Sequence, residues 1–131
     1  MDARTPRIWI ALLSSLLAFM PITVTRAAIH LRQSEASIKS ALLLEAPLGS
    51  SVSQIQELIR RHKWKLSCPL ASTGFYDQRT KPPGIVGTQH LRASLGDYQG
   101  IPFEVNVTAF WGFDADGKLI DIWVWKTFEG P

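Results

Sequence analysis

The chain contains a single cysteine, Cys68, so no disulfide can form within it. With no histidine nearer in sequence than His62, a catalytic thiol is not indicated. Cys68 reads either as a small buried apolar residue or as a free thiol that pairs with another chain. Histidine is almost as scarce. His30, His62 and His90 are scattered, and no two share a metal-ligand spacing on one helix face or have a cysteine neighbour. No Gly-x-Ser-x-Gly turn and no phosphate-binding glycine loop is present. Asp114-x-Asp116-Gly117 has part of the spacing of a calcium loop, but the full pattern would begin at Gly112 and end at Trp123, neither of them a ligand. No catalytic residue, metal or cofactor is therefore expected, and the chain is not expected to be an enzyme. Asn106-Val107-Thr108 matches a glycosylation sequon but falls inside a predicted strand, so it carries no weight here.

Concentrated charge is also missing. The formal net charge is +3, from 14 basic and 11 acidic residues. Arg4, Arg7 and Arg26 lie in the first 27 residues against Asp2 alone, so the remainder is close to neutral. Phosphate binding needs clustered positive charge, and nucleic acid is not an expected partner. Arg60-Arg61-His62-Lys63-Trp64-Lys65 is the one basic cluster. At the end of a predicted helix, it complements the helix dipole.

What is present begins with an address. A basic head precedes the uncharged run Ile8–Thr25, IWIALLSSLLAFMPITVT, and small residues stand at Thr25 and Ala27. This is the layout of an export signal. The run is near the lower limit of about 17–25 residues for a spanning helix. Residues 1–27 are thus either a cleaved signal peptide or an uncleaved anchor, with 8–25 as a membrane tether. Both place the following domain outside the cytoplasm, periplasmic or held at the inner membrane facing the periplasm. A lipobox is absent, because Cys68 lies far downstream of the run.

Residues 28–131 form one small domain with one modest core. Ser34–Glu45 is a predicted helix with Ile38, Ala41, Leu42 and Glu45 on its inner face, ended by Pro47 and Gly49. A second helix runs from Val52 to about His62. Ser51 and Gln54 make a capping box, and Val52, Ile55, Leu58 and Ile59 form the apolar stripe. Trp64–Leu66 reads as a short strand. Residues 68–87 read as a long connection rich in proline and glycine.

From Gln89 the period becomes two. Leu91, Ala93 and Leu95 alternate with polar residues, and Gly96–Gly100 reads as a turn. Phe103–Phe113 and Lys118–Phe128 then make a hairpin around Asp114-Ala115-Asp116-Gly117. A four-residue loop pairs Trp111 with Ile120 and Ala109 with Ile122. One face then carries Val105, Val107, Ala109, Trp111, Phe113, Ile120, Ile122 and Val124, and receives the helices. The expected fold is α+β: two helices on one face of a three- to four-stranded antiparallel meander, after an N-terminal hydrophobic helix.

The opposite face carries Glu104, Asn106, Thr108, Phe110, Asp121, Trp123, Trp125 and Thr127. An ordinary solvent face does not need three large aromatics, which are typical of interaction hot spots. Either this face binds a partner, or the 68–87 segment or the first helix covers it. The first version makes Phe110, Trp123, Trp125, Thr108 and Asp121 a binding surface for another envelope protein, through the face or a sheet edge. The alternative is a small-ligand pocket beneath the long segment, with Tyr76, Arg79 or Tyr98 as polar contacts.

Leu48-Gly49-Ser50-Ser51-Val52-Ser53-Gln54-Ile55 and Phe113-Asp114-Ala115-Asp116-Gly117-Lys118-Leu119-Ile120 resemble the glycine-led helix start and the final hairpin of the SmpA/OmlA outer-membrane assembly lipoproteins, of β-lactamase-inhibitor-like fold. The Phe110–Asp114 and Trp123–Lys126 stretches also resemble the C-terminal sequence of uncharacterised small exported bacterial proteins. The likeness covers roughly residues 45–125 and implies an α+β sandwich. It does not imply a lipid anchor.

Overall fold

The computed structural model describes residues 29–67 and 69–129. The 1–27 leader, with its tether at 8–25 and the expected N-terminal hydrophobic helix, lies outside the described residues, as does Cys68. Among the described residues, no helix is long and apolar enough to cross a membrane.

The elements in chain order are α1 Glu35–Glu45, α2 Val52–His62, β1 Lys65–Leu66, β2 Phe75–Asp77, β3 Gly84–Val86, β4 Gln89–Gln99, β5 Glu104–Phe113 and β6 Leu119–Glu129. Both helix starts follow from local chemistry. The Ser34 side chain accepts the Ser37 N–H to cap α1, and Ser51 and Gln54 form the expected reciprocal box on α2. Helix α2 ends where Lys63 turns left-handed at φ 58°.

β1, β4, β5 and β6 form an antiparallel four-stranded sheet in that spatial order, and β2 pairs with β3 as a separate hairpin. One sheet face receives both helices. Ile38 and Leu42 from α1, with Ile55, Leu58 and Ile59 from α2, pack on Leu91, Ala93, Leu95, Val107, Ala109, Trp111, Phe113, Leu119, Ile122 and Val124. Each such large side chain taken out of water contributes roughly 1.5–3 kcal/mol. The α+β class, with two helices and a four-stranded antiparallel sheet, is therefore as the periodicity predicts.

Three local expectations need correction. Residues 68–87 are not one irregular connection. They contain β2 and β3, with Phe75 opposite Val86 and Asp77 opposite Gly84. Gly96–Gly100 is not a turn. β4 runs on to Gln99 past a bulge between Ser94 and Gly96, and the chain reverses at Gly100–Phe103 instead. The β5–β6 register also differs. Trp111 faces Ile122 and Ala109 faces Val124, two residues from the predicted pairing. A two-residue slip preserves the faces, since the side-chain period is two. A second bulge between Gly112 and Phe113 exchanges Leu119 for Ile120 in the core, leaving Ile120 exposed.

The predicted Asp114–Gly117 turn forms. Asp114 Oδ1 accepts the N–H groups of Asp116 and Lys118, and Gly117 holds φ +74°, a conformation glycine adopts at no steric cost.

Candidate functional site

The outer face of the sheet, away from the helices, is divided. Its upper half is roofed by the β2–β3 hairpin. Phe75, fully buried, lies 6.1 Å from Phe110 and 6.2 Å from Trp123 between ring centroids, and Val86 packs beside it. The close seat depends on Gly112. A methyl group there would stand 2.7 Å from the Phe75 ring, so only glycine lets the hairpin lie down on the sheet.

The hairpin is fixed at its tip by charge. Asp77 is buried, and its carboxylate accepts the Arg79 backbone N–H at 2.9 Å and the Arg79 Nε and Nη2 at 2.8 Å each. The Arg79 side-chain hydrogen bonds hold the Asp77 carboxyl below its ordinary range, against the opposing effect of burial. The Arg79 guanidinium lies over Trp123, 5.5 Å from its centroid, and Arg92 lies over Phe110 at 5.3 Å. His90 anchors the hairpin base, its Nδ1 2.7 Å from the Thr73 carbonyl oxygen.

The five residues singled out from sequence therefore separate. Phe110 and Trp123, stacked at 4.9 Å, are interior residues at 8% and 6% exposure. Thr108 is also buried. Trp125 stacks on Trp123 at 5.4 Å but remains 36% exposed. Asp121 has turned to the sheet edge, where it accepts from Lys39 Nζ of α1 and from the Ile122 N–H, both at 2.8 Å.

The lower half of the outer face is open. Register places Asp97 opposite Asn106 and Asn106 opposite Thr127, Thr108 opposite Trp125, and Gln99 and Glu129 on either side of Glu104. Asp97, Gln99, Glu104 and Glu129 are exposed. Glu104 has its pKa raised, first by a shared hydrogen bond and the charge of Asp97, with Glu129 adding to the repulsion. This acidic end was missed in the sequence because Asp97 lay in a predicted turn. Reading Gly96 as a bulge would have kept Asp97 on the strand.

The residues considered for a ligand pocket do not converge. Tyr76 projects from the hairpin at 53% exposure, Arg79 is held by Asp77, and Tyr98 lies on the helix side beneath Arg32 and Lys126. A cleft of about 320 Å³ does open between α1 and Arg79, lined by Glu35, Ala36, Lys39, Arg79 and Val124. Its two cations are paired with Asp121 and Asp77. Among the described residues, no group of three or more His, Cys, Asp or Glu could hold a metal ion.

Compared with protein-family models, curated proteins and solved structures, the chain matches none. The resemblance to the outer-membrane assembly lipoproteins therefore rests on its two motifs. Here they form the start of α2 and the β5–β6 turn.

Proposed function

We propose that this is a non-enzymatic exported envelope protein that binds another protein through the open half of its outer sheet face. The supporting observation is the division of that face. The hairpin covers Phe110 and Trp123, yet leaves Trp125 at the boundary between an aromatic stack and a polar, acidic strip. A large ring beside directed hydrogen-bonding groups is the composition of a binding hot spot. A flat open strip suits a protein partner better than an enclosed small ligand. Export rests on the basic head and apolar run of residues 1–27.

The β6 edge is a poorer docking element. Asp121 already accepts a hydrogen bond from the Ile122 N–H, and Glu35 Oε1 accepts one from the Lys126 backbone N–H at 3.3 Å. Carboxylates on edge donors blunt strand addition.

The test is crosslinking in intact cells, comparing wild type with Trp125→Ser. Only Trp125 is changed, because Trp123 belongs to the core. A specific crosslinked protein that disappears in a folded Trp125→Ser variant is the expected result. The same adduct at the same level in both would remove the face from the account.

A further inference from the structure

The open half-face carries an electrostatic conflict that nothing within the described fold relieves. Glu104 on β5 sits directly opposite Glu129 on β6. Asp97 on β4 is the diagonal cross-strand neighbour of Glu104 on the same face, and Asp97 raises the Glu104 pKa. Like charges directly opposite one another destabilise a sheet. The face's cations stand away from this strip. Arg92 and Arg79 lie over Phe110 and Trp123 at the roofed end, and Lys126 turns to the helix side, its Nζ meeting Tyr98 Oη and the Gln33 carbonyl. Where a fold keeps a local conflict, a functional reason is the first to consider.

The polarity of the strip follows from these positions. Carboxylates occupy the end nearest the Gly100–Phe103 reversal, Trp125 the middle and arginines the roofed end. From Glu129 to Trp125 the strip is about 13 Å long, and its three strands make it about 10 Å wide. That is the footprint of several residues of extended chain, and more than a single amine fills.

We propose that this half-face docks an extended basic segment of the partner protein, with lysine or arginine side chains among Asp97, Glu104 and Glu129 and one against the face of Trp125. The inference rests on the binding function proposed above and names the chemistry of its partner. Charge complementarity of this kind sets specificity and orientation, and the Trp125 ring adds a cation–π contact. Arg92 disfavours basic residues at the roofed end, where Arg79 is already neutralised by Asp77, so the segment's cations are confined to the acidic end.

The experiment uses the full chain and a fluorescently labelled hexalysine peptide, with hexaglutamate and maltohexaose as competing probes, followed by anisotropy. Hexalysine is expected to bind and to weaken with added salt. Hexaglutamate and maltohexaose should not compete. A Glu104→Gln/Glu129→Gln variant should bind roughly fivefold more weakly, and Trp125→Ser roughly tenfold or more.

Thermal unfolding of the double variant separates this from misfolding. Relief of the carboxylate repulsion should raise its midpoint while binding falls. Unchanged hexalysine affinity in the double variant, or displacement by hexaglutamate or maltohexaose, would overturn the proposal. The cellular adduct distinguishes the two levels. If Trp125→Ser abolishes it while Glu104→Gln/Glu129→Gln leaves it intact, the basic segment is wrong and the binding function stands. If neither variant changes it, both fall.

Discussion

Phe75 determines how much of the outer face remains open. It comes from a stretch with Pro82, Pro83, Gly74, Gly84 and Gly87 nearby, where composition argues for a loop, yet it is among the fully buried side chains. Three-residue strands are too short to show a period, so this roof was illegible in sequence. Its partners were legible as large aromatics on the wrong side of an amphipathic strand, and their spacing could not say which of them a distant segment covers. Phe75→Ala should cost about 3–5 kcal/mol in denaturant unfolding. It should also red-shift tryptophan emission as Trp123 meets water. Unchanged stability would mean that the hairpin does not seal the face.

Asp77 supplies a second prediction at this scale. Its carboxyl pKa lies below the ordinary value because Arg79 donates to the charged form. The folded state therefore binds this proton less readily than the unfolded chain. The resulting stability is present above the unfolded pKa of about 3.9 and is lost as pH falls through the lower folded value. Asp77→Asn should destabilise the protein by about 1–2 kcal/mol at pH 7, with the difference shrinking below about pH 4. Unfolding curves across that range measure both.

Among the elements, α2 was the most legible, because its signals are local. The Ser51–Gln54 box and the Val52, Ile55, Leu58, Ile59 stripe lie within one short stretch of sequence, and the helix forms within the predicted bounds. Its end is less ordinary. Lys63 holds a left-handed conformation at a position where glycine is the usual residue. Lys63→Gly should therefore stabilise the domain by about 0.5–1 kcal/mol, read from the denaturant midpoint. The strands were legible in face but not in register. Alternation identifies Val107, Ala109 and Trp111 as neighbours on one side. The bulges beside Gly96 and Gly112 each add a residue that alternation cannot see. One of them keeps Asp97 on the strand where a turn was expected, and the other placed Leu119 in the core.

At the scale of the whole molecule, the sheet has one face sealed by two helices and the other sealed by half. The helix side was predictable because a continuous apolar face must be buried. The hairpin side depends on contacts between residues far apart in sequence, such as Phe75 with Trp123. The open remainder has its own pH signature. Glu104 holds its proton above the ordinary carboxyl range, so the folded state is favoured at low pH, and this contribution is lost as pH rises through the raised value. Glu104→Gln should consequently raise the thermal midpoint at pH 7 and change it little at pH 4. An equal change at both would show that Glu104 feels no neighbouring charge.

The central claim is that the strip beside Trp125 is the contact surface in the cell. A photo-crosslinking side chain placed at Thr127, on that strip, and separately at Gln56, on the solvent side of α2, tests it most directly. A discrete protein adduct from position 127 and none from 56 is the predicted result. No adduct from 127, or the same adduct from both positions, would contradict it.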